Sequence, residues 1–221
     1  DNETLTLVES LSAITGLSDI AASTLSDDGN YLYVVSSDGA IAIFTRNASS
    51  GELVYLETVA SGLGDISDIQ VGADGNQLYL MGESGDAIAI YNRASSDGSL
   101  TLIQTLVTEN LVSFTAAADG SAIYAVDGNY SGLLVYTLNS TTGEFQLTQS
   151  IAAATGSAPY LFTGVSIETV GDYVYVLTNP VSSTLADTLI VYQRSSDSTL
   201  SAVAYAVSYT HLRAHETRHD L

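Results

Sequence analysis

The sequence predicts an all-β protein, a β-propeller fragment of about four four-stranded blades. Three observations carry this. First, one pattern recurs four times, with tyrosines at Tyr33, Tyr79, Tyr124 and Tyr175, spaced 46, 45 and 51 residues apart. Second, each unit divides into four short apolar runs separated by Asp-Gly, Ser-Gly and Thr-Gly pairs, which is hairpin punctuation. Third, runs such as Ala-Ile-Ala-Ile-Phe at 40–44 are apolar on both faces. A strand exposed on one face alternates with polar residues, so two-sided burial points to small sheets stacked face to face. A β-sandwich shares the strands but does not call for near-identical repeats of this period.

Along the chain, residues 3–11 read as the outer strand of an earlier blade. Four units follow at about 12–58, 59–105, 106–150 and 151–206. The second shows the plan: a first strand at Asp65–Val71, a second at Gln77–Met81 carrying Tyr79, a third at Ala87–Tyr91 and a fourth at Ser99–Leu106. The third strand ends on a second aromatic anchor, Phe44, Tyr91, Tyr136 or Tyr192. Leu200–Ala206 reads as the start of a later strand. No segment before residue 207 has good helical periodicity.

The second unit, DGNQLYLMGESGDAIAIYNRASSDGSLTLIQTL, resembles the repeat of seven-bladed lactonase-type propellers, which include bacterial 6-phosphogluconolactonase-like proteins. The shared pattern is small-x-Asp-Gly-x-x-hydrophobic-Tyr, an apolar run ending aromatic-x-Arg, then Gly-x-Leu. It covers residues 1–206. The resemblance implies a seven-bladed ring and, for the family's enzymes, sugar-lactone hydrolysis. Seven units of this size need roughly 320 residues, so the 221 residues read as part of a longer propeller, cut at both ends.

Composition narrows the function. The formal net charge is −20, from 25 acidic and five basic residues. Residues 1–206 hold no Lys and no His, and their only cations are Arg46, Arg93 and Arg194. Such a surface repels nucleic acid and anionic lipid. A hydrophobic fraction of 46% excludes a disordered polyanion. No apolar run reaches the roughly 18 residues of a membrane span. Without cysteine there is neither a disulfide framework nor a thiolate site.

The acidic turns at 26–30, 73–76, 95–98 and 118–121 admit a Ca²⁺ reading, because hard cations take carboxylates. Each turn supplies one or two, and Asp-Gly makes tight turns for backbone reasons alone. No cofactor and no metal site are therefore expected. Arg46, Arg93 and Arg194 share one repeat position, where the third unit has Leu138. Recurrence points to scaffolding, with each Arg satisfying loop carbonyls or an Asp of the following turn. The sequons at Asn2, Asn47, Asn129 and Asn139 fit chance in a chain rich in Ser and Thr.

The fourth unit breaks the pattern with long loops at 151–164 and 178–187, which hold both prolines, Pro159 and Pro180. In a propeller the loop leading into a blade and its second-to-third-strand hairpin emerge on one face. This places both loops beside the DGNYSG loop at 127–132. Asp127, Asn129, Tyr130, Tyr160 and Asn179 are the expected ligand-contact residues, since loops carry function.

Lactone hydrolysis needs a general base or metal-activated water and donors for an oxyanion. No unique acid–base pair and no G-x-S-x-G elbow stands out, so no catalytic residue is assigned. The expected role is a non-catalytic scaffold in a larger secreted or surface bacterial protein, binding a protein or carbohydrate. A lactonase with its catalytic blades outside this chain is the alternative. His211, His215 and His219 sit in a tail, residues 207–221, unlike the repeat. VSYTHLRAHET at 207–217 is identified as the translation of a transposase-type sequencing adapter, so these histidines are set aside.

Overall fold

A computed structural model describes residues 7–12, 14–128, 132–152, 167–178 and 188–207. Sixteen strands form four antiparallel four-stranded sheets, each built from strands consecutive in sequence. Blade 1 comprises β1 (Ile20–Leu25), β2 (Tyr31–Ser36), β3 (Ala40–Arg46) and β4 (Leu53–Ala60). Blade 2 comprises β5 (Ile66–Val71), β6 (Gln77–Gly82), β7 (Ala87–Arg93) and β8 (Leu100–Val107). In blade 3 these are β9 (Leu111–Ala116), β10 (Ala122–Asp127), β11 (Gly132–Asn139) and β12 (Glu144–Ile151). Blade 4 holds β13 (Ile167–Val170), β14 (Tyr173–Thr178), β15 (Thr188–Arg194) and β16 (Leu200–Val207). First strands of successive blades lie side by side, β1 with β5 and β9 with β13.

The core is a series of slabs between sheets. Alternation with period two sends neighbouring residues to opposite faces. Ile41 and Ile43 of β3 therefore pack with Leu78, Leu80 and Tyr91 of blade 2, while Ala42 and Phe44 face the other way. Tyr79, Met81, Ile88 and Ile90 of blade 2 pack with Phe114, Ile123 and Phe145 of blade 3. Tyr124, Val126, Leu133 and Val135 of blade 3 pack with Val174, Val176, Ile190 and Tyr192 of blade 4. The middle strands are buried on both faces, as their composition predicts, and the outer strands β4, β8 and β12 are largely exposed.

Two details differ from the sequence reading. Leu200–Val207 does not begin a later blade. It pairs with β15 and completes blade 4. Residues 7–12 form no ladder, yet Glu9 keeps the register of an outer strand. The side chain of Gln104 in β8 bonds both backbone groups of Phe145 in β12, at 2.8 and 3.0 Å. Gln149 of β12 grips Leu200 of β16 in the same way, at 2.8 and 2.9 Å. Glu9 accepts from the Leu53 amide of blade 1 at 3.0 Å, the equivalent contact two blades before that of Gln104. As an acceptor only, it makes one bond where glutamine makes two.

Candidate functional site

Both faces of the blades are acidic, and they differ in that the described arginines lie on only one of them. On one face lie the first-to-second and third-to-fourth strand turns, with Arg46, Arg93 and Arg194 at the adjoining strand ends. Arg93 is the best-placed cation. Its guanidinium donates to the Gly75 carbonyl of its own blade at 2.6 Å, and to Tyr33 Oη and Asp28 of blade 1, both at 3.0 Å. It also sits 5.4 Å from the centre of the Tyr31 ring, within cation–π range. Blade 1 answers with tyrosine hydroxyls: Tyr31 donates to the Ser96 carbonyl and Tyr33 to that of Gly98, each at 2.9 Å. Arg194 repeats the arrangement two junctions later, donating to Asp119 and Ser121 of blade 3, each at 2.6 Å. Arg46 bonds the Gly29 carbonyl of its own turn.

Arg46 and Arg93 thus satisfy loop carbonyls, as expected, but for Arg93 and Arg194 the carboxylate comes from the preceding blade's turn and not from a following one. The reason is geometric: the arginine ends the third strand, beside the turn of the blade it packs against. The Ser26 hydroxyl, the Asn30 amide and then Arg93 hold Asp28 down at about 2, against the effect of burial. Burial raises Asp119, but Arg194 and Ser121 outweigh it and hold that carboxyl at about 2 as well. At the junction between blades 2 and 3 the arginine is Leu138. There Tyr79 Oη donates to Gln77 instead, and the Tyr79 ring meets Phe114 and Phe145, each at 6.4 Å.

The opposite face is built from the lead-in loops and the second-to-third-strand hairpins. In blades 1, 2 and 3 the hairpin bonds the loop leading into its own blade: Ser37 N to Asp19 O at 2.7 Å, Glu83 N to Asp65 O at 2.7 Å, and Gly128 N to Asn110 O at 2.8 Å. On its other side the hairpin bonds the loop leading to the next blade, as in Ser61 N to Gly39 O at 2.9 Å and Leu111 N to Gly85 O at 2.9 Å. Gly85 lies at φ 65°, and a Cβ there would overlap the Leu111 backbone. The loops are therefore wedged between hairpins and hold one position.

This face carries Asp19, Asp38, Asp65, Glu83, Asp86, Glu109 and Asp127, and no arginine among the described residues. A recess of about 310 Å³ is lined by Gly64, Asp65, Glu83, Ser84 and Asp86. Among the described residues no three acidic or histidine side chains converge well enough to hold a metal ion.

Of the residues singled out from sequence, Asp127 is described. It ends β10, opposite Gly132 of β11 and Leu111 of β9, and is only 8% exposed. Its charge adds to burial in raising the Tyr136 hydroxyl. Asn129, Tyr130, Tyr160 and Asn179 lie outside the described residues, as do His211, His215 and His219. The sequence reading passed over the acidic lead-in loops. Their signal was Asp19 and Asp65, each immediately before a first strand, and Glu109 two residues before the third.

Residues 1–114 and, in an overlapping match, residues 26–162 match the family described as Lactonase, 7-bladed beta-propeller. The chain belongs to this family. Solved structures agree on the fold. A candidate 6-phosphogluconolactonase from Bacteroides uniformis superposes with a TM-score of 0.64 at 18% identity, covering 85% of this chain and 55% of that one. A protein from Lactobacillus plantarum gives 0.63 at 18% identity, over 85% of this chain and 57% of that one. The periplasmic gluconolactonase of Pseudomonas aeruginosa gives 0.58 at 19% identity, over 84% and 56%. The lactonase-family chain described here thus spans little more than half the length of these structures. No curated protein matches it.

Proposed function

We propose that the chain is part of a propeller ring that serves as a binding scaffold, with its ligand surface on the face of the lead-in loops and hairpins. One observation carries this reading: the face gathers six carboxylates on loops and hairpins bonded to their neighbours, with Asp127 at a strand end and no described arginine beside them, while the described arginines bind turns on the other face. Such a face favours a ligand that is cationic or rich in neutral hydroxyls, a basic protein segment or a carbohydrate, and repels phosphorylated sugars. The parent protein belongs, on this reading, in the periplasm or at the cell surface. A periplasmic gluconolactonase among the similar folds supports that placement.

Calorimetry of the intact ring against a basic peptide and a neutral oligosaccharide, at low and high salt, tests the proposal. Binding of the basic peptide weakens with salt, and a triple variant Asp65→Asn, Glu83→Gln, Asp86→Asn weakens it further. Equal binding by that variant refutes the assignment of the face. Family membership favours a second reading, hydrolysis of a sugar lactone by the whole ring. The acidic face restricts this reading to an unphosphorylated lactone. Acid release from gluconolactone by the full-length protein, followed in a pH-stat, would refute the purely non-catalytic reading.

A further inference from the structure

The third-to-fourth-strand turns of blades 2 and 3 share one backbone plan. Gly98 N donates to Ala94 O and Gly143 N to Asn139 O, both at 2.8 Å. Both glycines take positive φ, 72° and 73°. The turn thus closes with alanine at its first position, and its backbone makes no demand for asparagine there. Blade 2 packs this turn on its neighbour: a Cβ on Gly98 would overlap the Tyr31 ring. Blade 3 does not. Blade 2 carries Gln77 where blade 1 carries Tyr31, and a Cβ on Gly143 meets nothing within 4 Å. Blade 3 has a blade of this chain on each side, so the open space belongs to the repeat and not to a chain end. Residues 140–144 are all exposed.

Asn139-Ser140-Thr141 stands in this open turn. It has the Asn-x-Ser/Thr pattern of an N-glycosyl acceptor, with a residue other than proline in the middle. Composition accounts for the occurrence of such a pattern, and the fold accounts for its presentation. Asn139 Oδ1 accepts from the Thr141 and Thr142 amides at 2.9 and 3.3 Å. These bonds hold the carboxamide with its oxygen toward the turn, so Nδ2 points away from it. Among the described residues neither Nδ2 nor the Thr141 hydroxyl has a hydrogen-bond partner. A transferase engages two groups, the amide nitrogen and the hydroxyl two residues on, and both are free on one exposed turn. Asn47 holds the same position in blade 1, its Oδ1 bonded to the Ser49 and Ser50 amides, but only Asn139 has a blade on each side.

We propose that Asn139 is a site of N-glycosylation and takes an oligosaccharide from a polyprenyl pyrophosphate donor. Asn139 Nδ2 forms the new bond to the anomeric carbon of the sugar. The bond from that carbon to the pyrophosphate oxygen breaks, the lipid pyrophosphate leaves, and the amide proton passes to a base of the transferase. The glycan projects from the face of the third-to-fourth-strand turns, opposite the lead-in loops and hairpins, and leaves the ligand surface open. The site rests on the periplasmic or cell-surface placement proposed above, because this modification belongs to surface loops of secreted proteins.

The test incubates the folded chain with a purified transferase specific for Asn-x-Ser/Thr and its lipid-linked oligosaccharide, and reads the peptide spanning residue 139 by mass spectrometry. The expected result is one glycan mass on that peptide, absent in Asn139→Gln. Thr141→Ala keeps the backbone bond to Oδ1 and loses the hydroxyl. It abolishes the modification with an unchanged far-ultraviolet circular dichroism spectrum. A folded chain left unmodified at Asn139, while a free peptide of residues 137–143 is modified in the same mixture, overturns the proposal. Modification that appears only after unfolding in urea overturns it too, as does equal modification of Thr141→Ala. Purified components carry the reaction, so its failure strikes the site and not the placement, which cell fractionation of the full-length protein tests separately.

Discussion

Replacing Arg93 with leucine, the residue blade 3 carries at the equivalent place, tests the junction between blades 1 and 2. The Arg93 side chain is 2% exposed and its partner Asp28 is 36% exposed. Hydrogen bonds to charged groups contribute about 1.5–3 kcal/mol each when buried. Asp28 regains water once the arginine is gone, so its share falls to about 1 kcal/mol. The Gly75 carbonyl loses its side-chain donor, and Tyr33 keeps its bond to Gly98. Loss of the guanidinium from the Tyr31 ring adds about 0.5–1 kcal/mol. Leucine recovers part of this through packing, and the net cost is about 2 kcal/mol. A chain of this size then melts about 4–8 °C lower. The chain has no tryptophan and 14 tyrosines, so tyrosine fluorescence in urea and calorimetry are the readouts. Arg93→Lys falls between, because it keeps the charge but not the planar fork. A cost below about 0.5 kcal/mol for Arg93→Leu, outside the range expected for a buried charged network, would show that the blades are joined by apolar packing alone.

Acid should loosen the same junctions. Asp28 and Asp119 are held at about 2 in the fold, below their ordinary value of 3.8, so the stability they add is complete above that ordinary value and is lost as pH falls through about 2. A urea titration at a series of pH values will show the midpoint falling between about pH 4 and 2. The Ser26 hydroxyl is the largest single influence holding Asp28 down, so Ser26→Ala raises the Asp28 pKa, as carboxyl NMR titration will report. Gly85→Ala, where a Cβ meets the Leu111 backbone, costs at least about 3 kcal/mol, whereas Gly62→Ala, with positive φ but open space, costs about 1 kcal/mol; equal losses in thermal melts would exclude the wedge. Gln104→Glu keeps the bond from the Phe145 amide and loses the one to its carbonyl, costing about 1 kcal/mol, and Gln104→Ala costs more by the same assay.

Much of the fold was legible in the sequence because blades are local. A four-stranded meander needs only a period-two pattern and turn residues, and both are written within 45 or so residues. Ala40–Phe44 stated two-sided burial before any neighbour was known. The arginine contacts were half legible. Recurrence at one repeat position marked Arg46, Arg93 and Arg194 as structural, but their partner carboxylates lie 65 and 75 residues away in another sheet. The same distance hid the Gln104 and Gln149 grips, where a polar residue on an exposed outer strand gives no sign of reaching across to the next blade. Of the contact surface expected near residue 127, Asp127 itself closes the end of a sheet.

The amino-acid sequence alone determined the repeat, the strands, the family and the excess of negative charge, because each is a property of local pattern or of composition. Only the tertiary structure decided which residues meet across blades. Packing sheet on sheet brings the arginine of one unit to the turn of the one before it. It also sorts the arginines onto one face, among acidic turns, and leaves the described lead-in loops and hairpins with carboxylates alone. That sorting depends on where each strand begins and ends around the ring, and no linear spacing encodes it.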